Sequence, residues 1–242
     1  MFNRVKVLTV GISLVIGYHC FGDAAADAIA RAEKMPAAES LLALQKLEPS
    51  SPKNPDLLAS IALDYCELVD SQGKRAADDA LRYAKRAVDA GPNNAKAHVS
   101  LATAYGKMTD FVDNKTKMQL SQKIRDEANR AVQIDPRNDD ALYILGRWYY
   151  EMANINPILR MAARMIYGAL PPASNEEAQH YLERAVAIAP QKICNHQALA
   201  VVYKAMGKRD AARKQWQAVL SLPATDNDDR QAQVEARQGL SS

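Results

Sequence analysis

The sequence predicts an all-α fold, a solenoid of antiparallel helix pairs stacked in chain order. Three observations predict it. Apolar residues recur at i, i+3, i+4 and i+7 in four separate segments, the spacing of one helix face, and each segment ends on a tyrosine at the same phase: Tyr65, Tyr105, Tyr149 and Tyr203. Between them run alanine-rich stretches that close on a proline. The apolar content, 48% with only 6% aromatic, is largely Ala and Leu, which suits close-packed helices better than a sheet core.

Taken in order, the first residues read as a targeting segment. Arg4 and Lys6 precede an apolar run from Val7 to Ile16, and small residues follow at Gly22, Ala24, Ala25 and Ala26. A basic start, a short apolar core and an A-x-A-like site describe a secretory signal. The run is short for a bilayer span of roughly 20 residues, so within residues 1–24 a cleaved signal is preferred to a membrane anchor. Gly17-Tyr18-His19 before Cys20 lacks the small aliphatic residues of a lipoprotein site. The expected compartment is therefore exported, periplasmic or envelope-associated. Residues 25–54 read as a capping helical pair, Ala24 to Lys34 and Pro36 to Leu47, followed by a linker with Pro49, Pro52 and Pro55.

Residues 55–225 hold four repeats. The first helices carry Leu58, Ile61, Ala62 and Tyr65; His98, Leu101, Ala102 and Tyr105; Leu142, Leu145, Gly146 and Tyr149; and His196, Leu199, Ala200 and Tyr203. The second helices carry Ala80, Ala84, Ala87 and Pro92; Ile124, Ala128, Ala131 and Pro136; Ala178, Leu182, Ala185 and Pro190; and Ala212, Trp216, Val219 and Pro223. Small residues let two helices approach, larger ones fill the space beside them, and proline ends the pair. Gly207, four residues after Tyr203, falls where the last pair turns. Residues 226–242 form a polar closing helix and tail of the kind a terminal repeat needs for solubility.

The L-x2-L-G-x2-Y spacing at Leu142, Leu145, Gly146 and Tyr149 is the first-helix signature of a tetratricopeptide repeat (TPR). The expected architecture is thus a TPR-like α-solenoid, a right-handed superhelix of antiparallel helix pairs with helical insertions. A standard repeat is about 34 residues, and the intervals Pro92 to Pro136 and Pro136 to Pro190 exceed it by about 10 and 20. The shorter insertion, Asp110 to Lys123, carries Lys115, Lys117 and Lys123 and reads as a loop or an extended helix. The longer, Asn156 to Pro172, places Ile158, Leu159, Met161, Ala162, Met165, Ile166 and Ala169 on one helix face, with Arg160 and Arg164 at i, i+4 on another. Burial of that face against the repeat behind it is the preferred reading. The alternative is contact with a membrane or an amphipathic partner through Arg160, Met161, Arg164 and Met165.

That insertion, I-L-R-M-A-A-R-M-I-Y-G-A-L-P-P-A-S-N-E-E-A after Trp148-Tyr149, resembles the regulator-of-microtubule-dynamics family. The stretches from Asp113 to Pro136 and Leu145 to Tyr149, and the Leu220-Ser221-Leu222-Pro223-Ala224 ending, are similar to it as well. The resemblance covers roughly Pro55 to Leu240. It implies an all-helical repeat domain used as an adaptor, with phospholipid held in the repeat groove of some members. The basic, apolar start departs from the eukaryotic pattern and looks more like a bacterial exported relative.

The concave face of such a superhelix is lined by first helices. Positions one, four, eight and eleven of each place Lys96, Val99 and Thr103 there, then Asp140, Tyr143, Arg147 and Tyr150, then Gln197, Val201 and Lys204. Arg147 and Lys204 among tyrosines can grip a carboxylate or phosphate. His98 and His196 occupy equivalent apolar-face positions and read as packing residues. Cys66 and Cys194 lie too far apart along the array for a disulfide. Cys194 and His196 point to different sides of a helix, and Asp226 to Asp229 lacks the glycine and closing glutamate of a calcium loop, so no metal is expected. No phosphate-binding loop, nucleophile elbow or H-E-x-x-H occurs, so neither an enzyme nor a cofactor is expected. A net charge of +3 without a Lys/Arg block argues against nucleic acid. The expected function is a non-catalytic scaffold that binds a protein or peptide in its groove. The alternative is a lipid-binding or membrane-apposed module. The repeat pattern sets no oligomeric state.

Overall fold

Alanines 0–1% exposed run along the facing sides of consecutive helices, at Ala62, Ala80, Ala84, Ala87, Ala102, Ala128, Ala131, Ala185 and Ala200. They allow close approach and so set the stack. The computed structural model describes residues 24–156, 160–161 and 172–241. Two capping helices come first, α1 (residues 24–32) and α2 (Ala37–Leu47). Repeat one pairs α3 (Pro55–Glu67) with α5 (Lys74–Ala90), with a short α4 (Val69–Gln72) at their turn. Repeat two pairs α6 (Ala95–Met108) with α7 (Asn114–Ile134), and repeat three pairs α8 (Asp139–Ala153) with α9 (Asn175–Ile188). Repeat four pairs α10 (Ile193–Ala205) with α11 (Arg209–Ser221), and α12 (Asn227–Ser241) closes the array. The described residues contain no strand, and the chain is an all-α, TPR-like solenoid.

Each helix begins for a local reason. Asn54, Asn94 and Asn138 cap α3, α6 and α8, each side chain accepting from the backbone N–H three residues on. The fourth repeat has Lys192 at that place, where a cation is unfavourable at a helix N-terminus. Lys192 Nζ lies 2.7 Å from both Asp139 and Asp140 of α8, which offsets the missing cap and ties repeat four to repeat three. Gly73 and Gly207 have φ of 65° and 72°, the left-handed conformation that suits glycine at tight turns.

Consecutive first helices touch, whereas each second helix reaches beyond its own partner to the first helix of the next repeat. The stack therefore curves with α3, α6, α8, α10 and α12 on its inner side. Val99, placed on that open face by the helical phase, is instead 4% exposed and packs with Ala131 and Ala141. The next repeat leans over it. The shorter insertion is two extra turns at the start of α7, capped by Asp113 and held by Trp148 Nε1 donating to the Ser121 carbonyl at 2.9 Å. His98 and His196 do more than pack. Each ring bridges the preceding turn to its partner helix, His98 between the Pro92 carbonyl and Glu127, and His196 between the Pro190 carbonyl and Gln215.

Candidate functional site

Tyr143, Arg147 and Tyr150 rise along the inner side of α8, one turn apart. The Arg147 guanidinium donates to the Tyr143 hydroxyl and to Glu151, both at 3.3 Å, and lies 6.0 Å from the Tyr143 ring centre. Its side chain is 47% exposed. Burial raises the Tyr143 hydroxyl, against the pull of Arg147. Burial works against the Arg147 charge, and Tyr143 and Glu151 outweigh it, so the guanidinium stays protonated. The two bonds are long, and the group remains able to bind an incoming anion.

One turn further, Tyr150 joins α10, α11 and α12 around an open cleft of about 610 Å³. Val201 and Lys204 come from α10, Trp216 from α11, and Glu235 and Gln238 from α12. Trp216 is fixed by its neighbours. It is 4% exposed, and the Gly239 backbone approaches so closely that a Cβ there would lie 2.6 Å from the indole nitrogen. The last repeat's second helix and the closing helix thus complete a site that the first helices alone leave open. Trp216, Glu235 and Gln238 are not legible as site residues in the sequence, because α11 reads as an outer helix and α12 as a solubilising cap.

Four expected groove residues are engaged within the fold, Asp140 among them through Lys192. Lys96 Nζ pairs with Glu33 and reaches Ser60 Oγ at 2.8 Å, so the N-terminal cap occupies it. Gln197 donates to Glu235 of α12 at 2.7 Å. Thr103 Oγ1 donates to the Val99 carbonyl of its own helix at 2.9 Å. Tyr143, Arg147, Tyr150 and Lys204 remain as the accessible set.

Of the longer insertion the structure describes Asn156, Arg160, Met161 and Pro172. Arg160 donates to the Met152 and Ala153 carbonyls at 2.9 and 2.8 Å, closing the C-terminus of α8. Met161 is 62% exposed. Arg164 and Met165 lie outside the described residues, as does the expected targeting segment up to residue 23. No helix among the described residues is long and apolar enough to cross a membrane. Cys66 and Cys194 are free thiols, and burial raises both, to about 12 and about 11.

Comparison with solved structures supports the fold. A thermophilic TPR protein of Thermus thermophilus superposes with a TM-score of 0.62 at 18% identity, covering 95% of this chain and 96% of that one. Among curated relatives, regulator of microtubule dynamics protein 1 of Bos taurus is 27% identical over 163 residues, 67% of this chain and 51% of the relative. The Homo sapiens protein of that name is 25% identical over 189 residues, 76% of this chain and 60% of the relative. The chain spans between about half and three-fifths of the length of these relatives. A family model described as Regulator of microtubule dynamics protein 1-3 matches residues 24–242, and the insertion after Trp148-Tyr149 falls within it. The chain therefore belongs to the regulator of microtubule dynamics family.

Proposed function

We propose that the chain is a non-catalytic scaffold that holds a segment of another protein in its inner groove, at Tyr143, Arg147, Tyr150 and Lys204. The observation that carries this is the contrast along the groove. Lys96 and Gln197 are satisfied by carboxylates of the two terminal caps, while the Lys204 ammonium bonds to no described residue and the Arg147 guanidinium only weakly. A cation left open beside aromatic walls is a binding surface, since Tyr and Trp supply apolar area with a polar edge.

A photo-crosslinking side chain at Tyr143 or Tyr150, introduced in the native cells, tests this. Discrete polypeptide adducts are expected from both positions and none from Lys85 on the outer helix α5. Equal adducts from Lys85, or none from the groove, would overturn the reading. The basic, apolar start supports delivery of this scaffold to an exported or envelope compartment. N-terminal sequencing of the native chain should then begin near Ala25, and a start at Met1 would count against delivery by cleavage.

A further inference from the structure

The cleft at the C-terminal end of the groove carries enough chemistry to name what fits it, on the reading of the groove given above. Its volume of about 610 Å³ falls in the range, about 300–1,000 Å³, of pockets that bury a compact ligand. The Tyr150 ring, Val201, Ala205 and the Trp216 indole supply apolar wall. Lys204, Tyr150 and Gln238 carry polar ends that bond to no described residue. Glu235 is different: one of its oxygens already accepts from Gln197 at 2.7 Å. Glu235 keeps its charge, and the Lys204 ammonium is the charged group of the cleft with no hydrogen-bond partner among the described residues, with Arg147 one turn from Tyr150 as a second cation nearby.

We infer that this cleft takes an extended acidic peptide segment, with an Asp or Glu side chain on Lys204 and a neighbouring apolar side chain against Val201 and Trp216. The remaining oxygen of Glu235 then accepts a backbone N–H of the peptide. This last contact separates a peptide from a phosphodiester. A phosphodiester offers Glu235 no donor, whereas every non-proline residue of a peptide carries one. The charge-assisted contact at Lys204 is roughly twice as strong as a neutral hydrogen bond, so the acidic position dominates selection.

The test uses the full chain, immobilised, and a random decapeptide pool acetylated and amidated at its ends. Enriched sequences should place Asp or Glu within two residues of a large apolar side chain. Changing that acid to its amide, or Lys204→Met in the protein, should weaken binding at least tenfold. With Lys204→Glu the pool should instead enrich Lys or Arg at the same place. Lys204 is exposed, so both variants keep the fold. Enrichment without an acidic preference, or an acidic preference that survives Lys204→Glu, would overturn the assignment and leave the groove reading standing. An empty selection would overturn both. Flotation on phosphatidylserine vesicles that is lost in Lys204→Met, with no peptide enriched, would assign the cleft to a lipid headgroup and also end the proposal.

Discussion

Gly146 and Leu182 are in direct contact across repeat three: a Cβ on Gly146 would stand 2.4 Å from Leu182 Cγ and 2.9 Å from its Cδ2. Leu182 is 0% exposed, and its branch point has no room to retreat. Despite the insertion between them in the chain, α8 and α9 pack as a normal repeat, and glycine at this position is what lets them.

Gly146→Ala should therefore destabilise the chain. Overpacking of about 1–3 kcal/mol outweighs the roughly 1 kcal/mol of helix propensity that alanine adds. Urea unfolding checks this through a lower midpoint. Adding Leu182→Ala should recover part of the loss through a coupling of about 0.5–3 kcal/mol, and strict additivity of the two changes would count against the contact.

Asp64 should make stability depend on pH. Its carboxyl, 9% exposed, is pushed from 3.8 up to about 6 by burial, against the pull of the neighbouring Ser40 hydroxyl and with Glu67 and Glu33 adding to the rise. The native chain keeps this proton in a range where the unfolded chain has lost it. The stabilisation is therefore complete below about pH 4 and lost as pH rises through 6. Two units correspond to about 3 kcal/mol at most, by order of magnitude. Asp64→Asn should raise the unfolding midpoint at pH 7.5 and leave it little changed at pH 4. An equal effect at both would refute the prediction.

Arg160 should hold the end of α8. Its guanidinium caps the Met152 and Ala153 carbonyls, and Arg160→Ala leaves those groups to water. Faster amide exchange is expected at Met152 to Asn154, with the rest of α8 unchanged. Unaltered exchange there would show that the cap is dispensable. This anchoring also means that vesicle binding lost on changing Arg160 alone would not identify a headgroup contact.

Gly239→Ala should loosen the closing helix. The new Cβ would lie 2.6 Å from the Trp216 indole nitrogen and 2.8 Å from Cε2. Exchange should accelerate across Asn227–Ser241, and Trp216 emission should shift to the red as water reaches the ring. A protected α12 would show that the cap can slide without loss.

The repeat helices are legible in the sequence because their causes are local. The phase of Leu142, Leu145, Gly146 and Tyr149 is a property of one helix, and all three of Leu142, Leu145 and Gly146 are buried. The extra turns of α7 are legible in the sequence as a loop or an extended helix, and the structure shows the helix. The Asp113 cap is local, whereas the bond that holds those turns to the next repeat joins Ser121 to Trp148, 27 residues away. The groove is less legible. Helical phase points to Lys96 and Gln197, yet their partners Glu33 and Glu235 lie 63 and 38 residues away. Trp216 reads as a core residue, and it is one, with an edge that also lines the cleft.

That this chain is a stack of helix pairs, where each pair begins and ends, and which small residues meet can all be read from its residues in order. Those features follow from the 3.6-residue period, from capping side chains and from proline, and all act within a few residues of chain. Which inner cations stay open depends on the assembled stack. Lys96 is closed by one terminal cap, while Lys204 is left facing the cleft that the other cap completes. Curvature accumulates over every repeat, and the pairing of charges depends on where that sum brings the two ends.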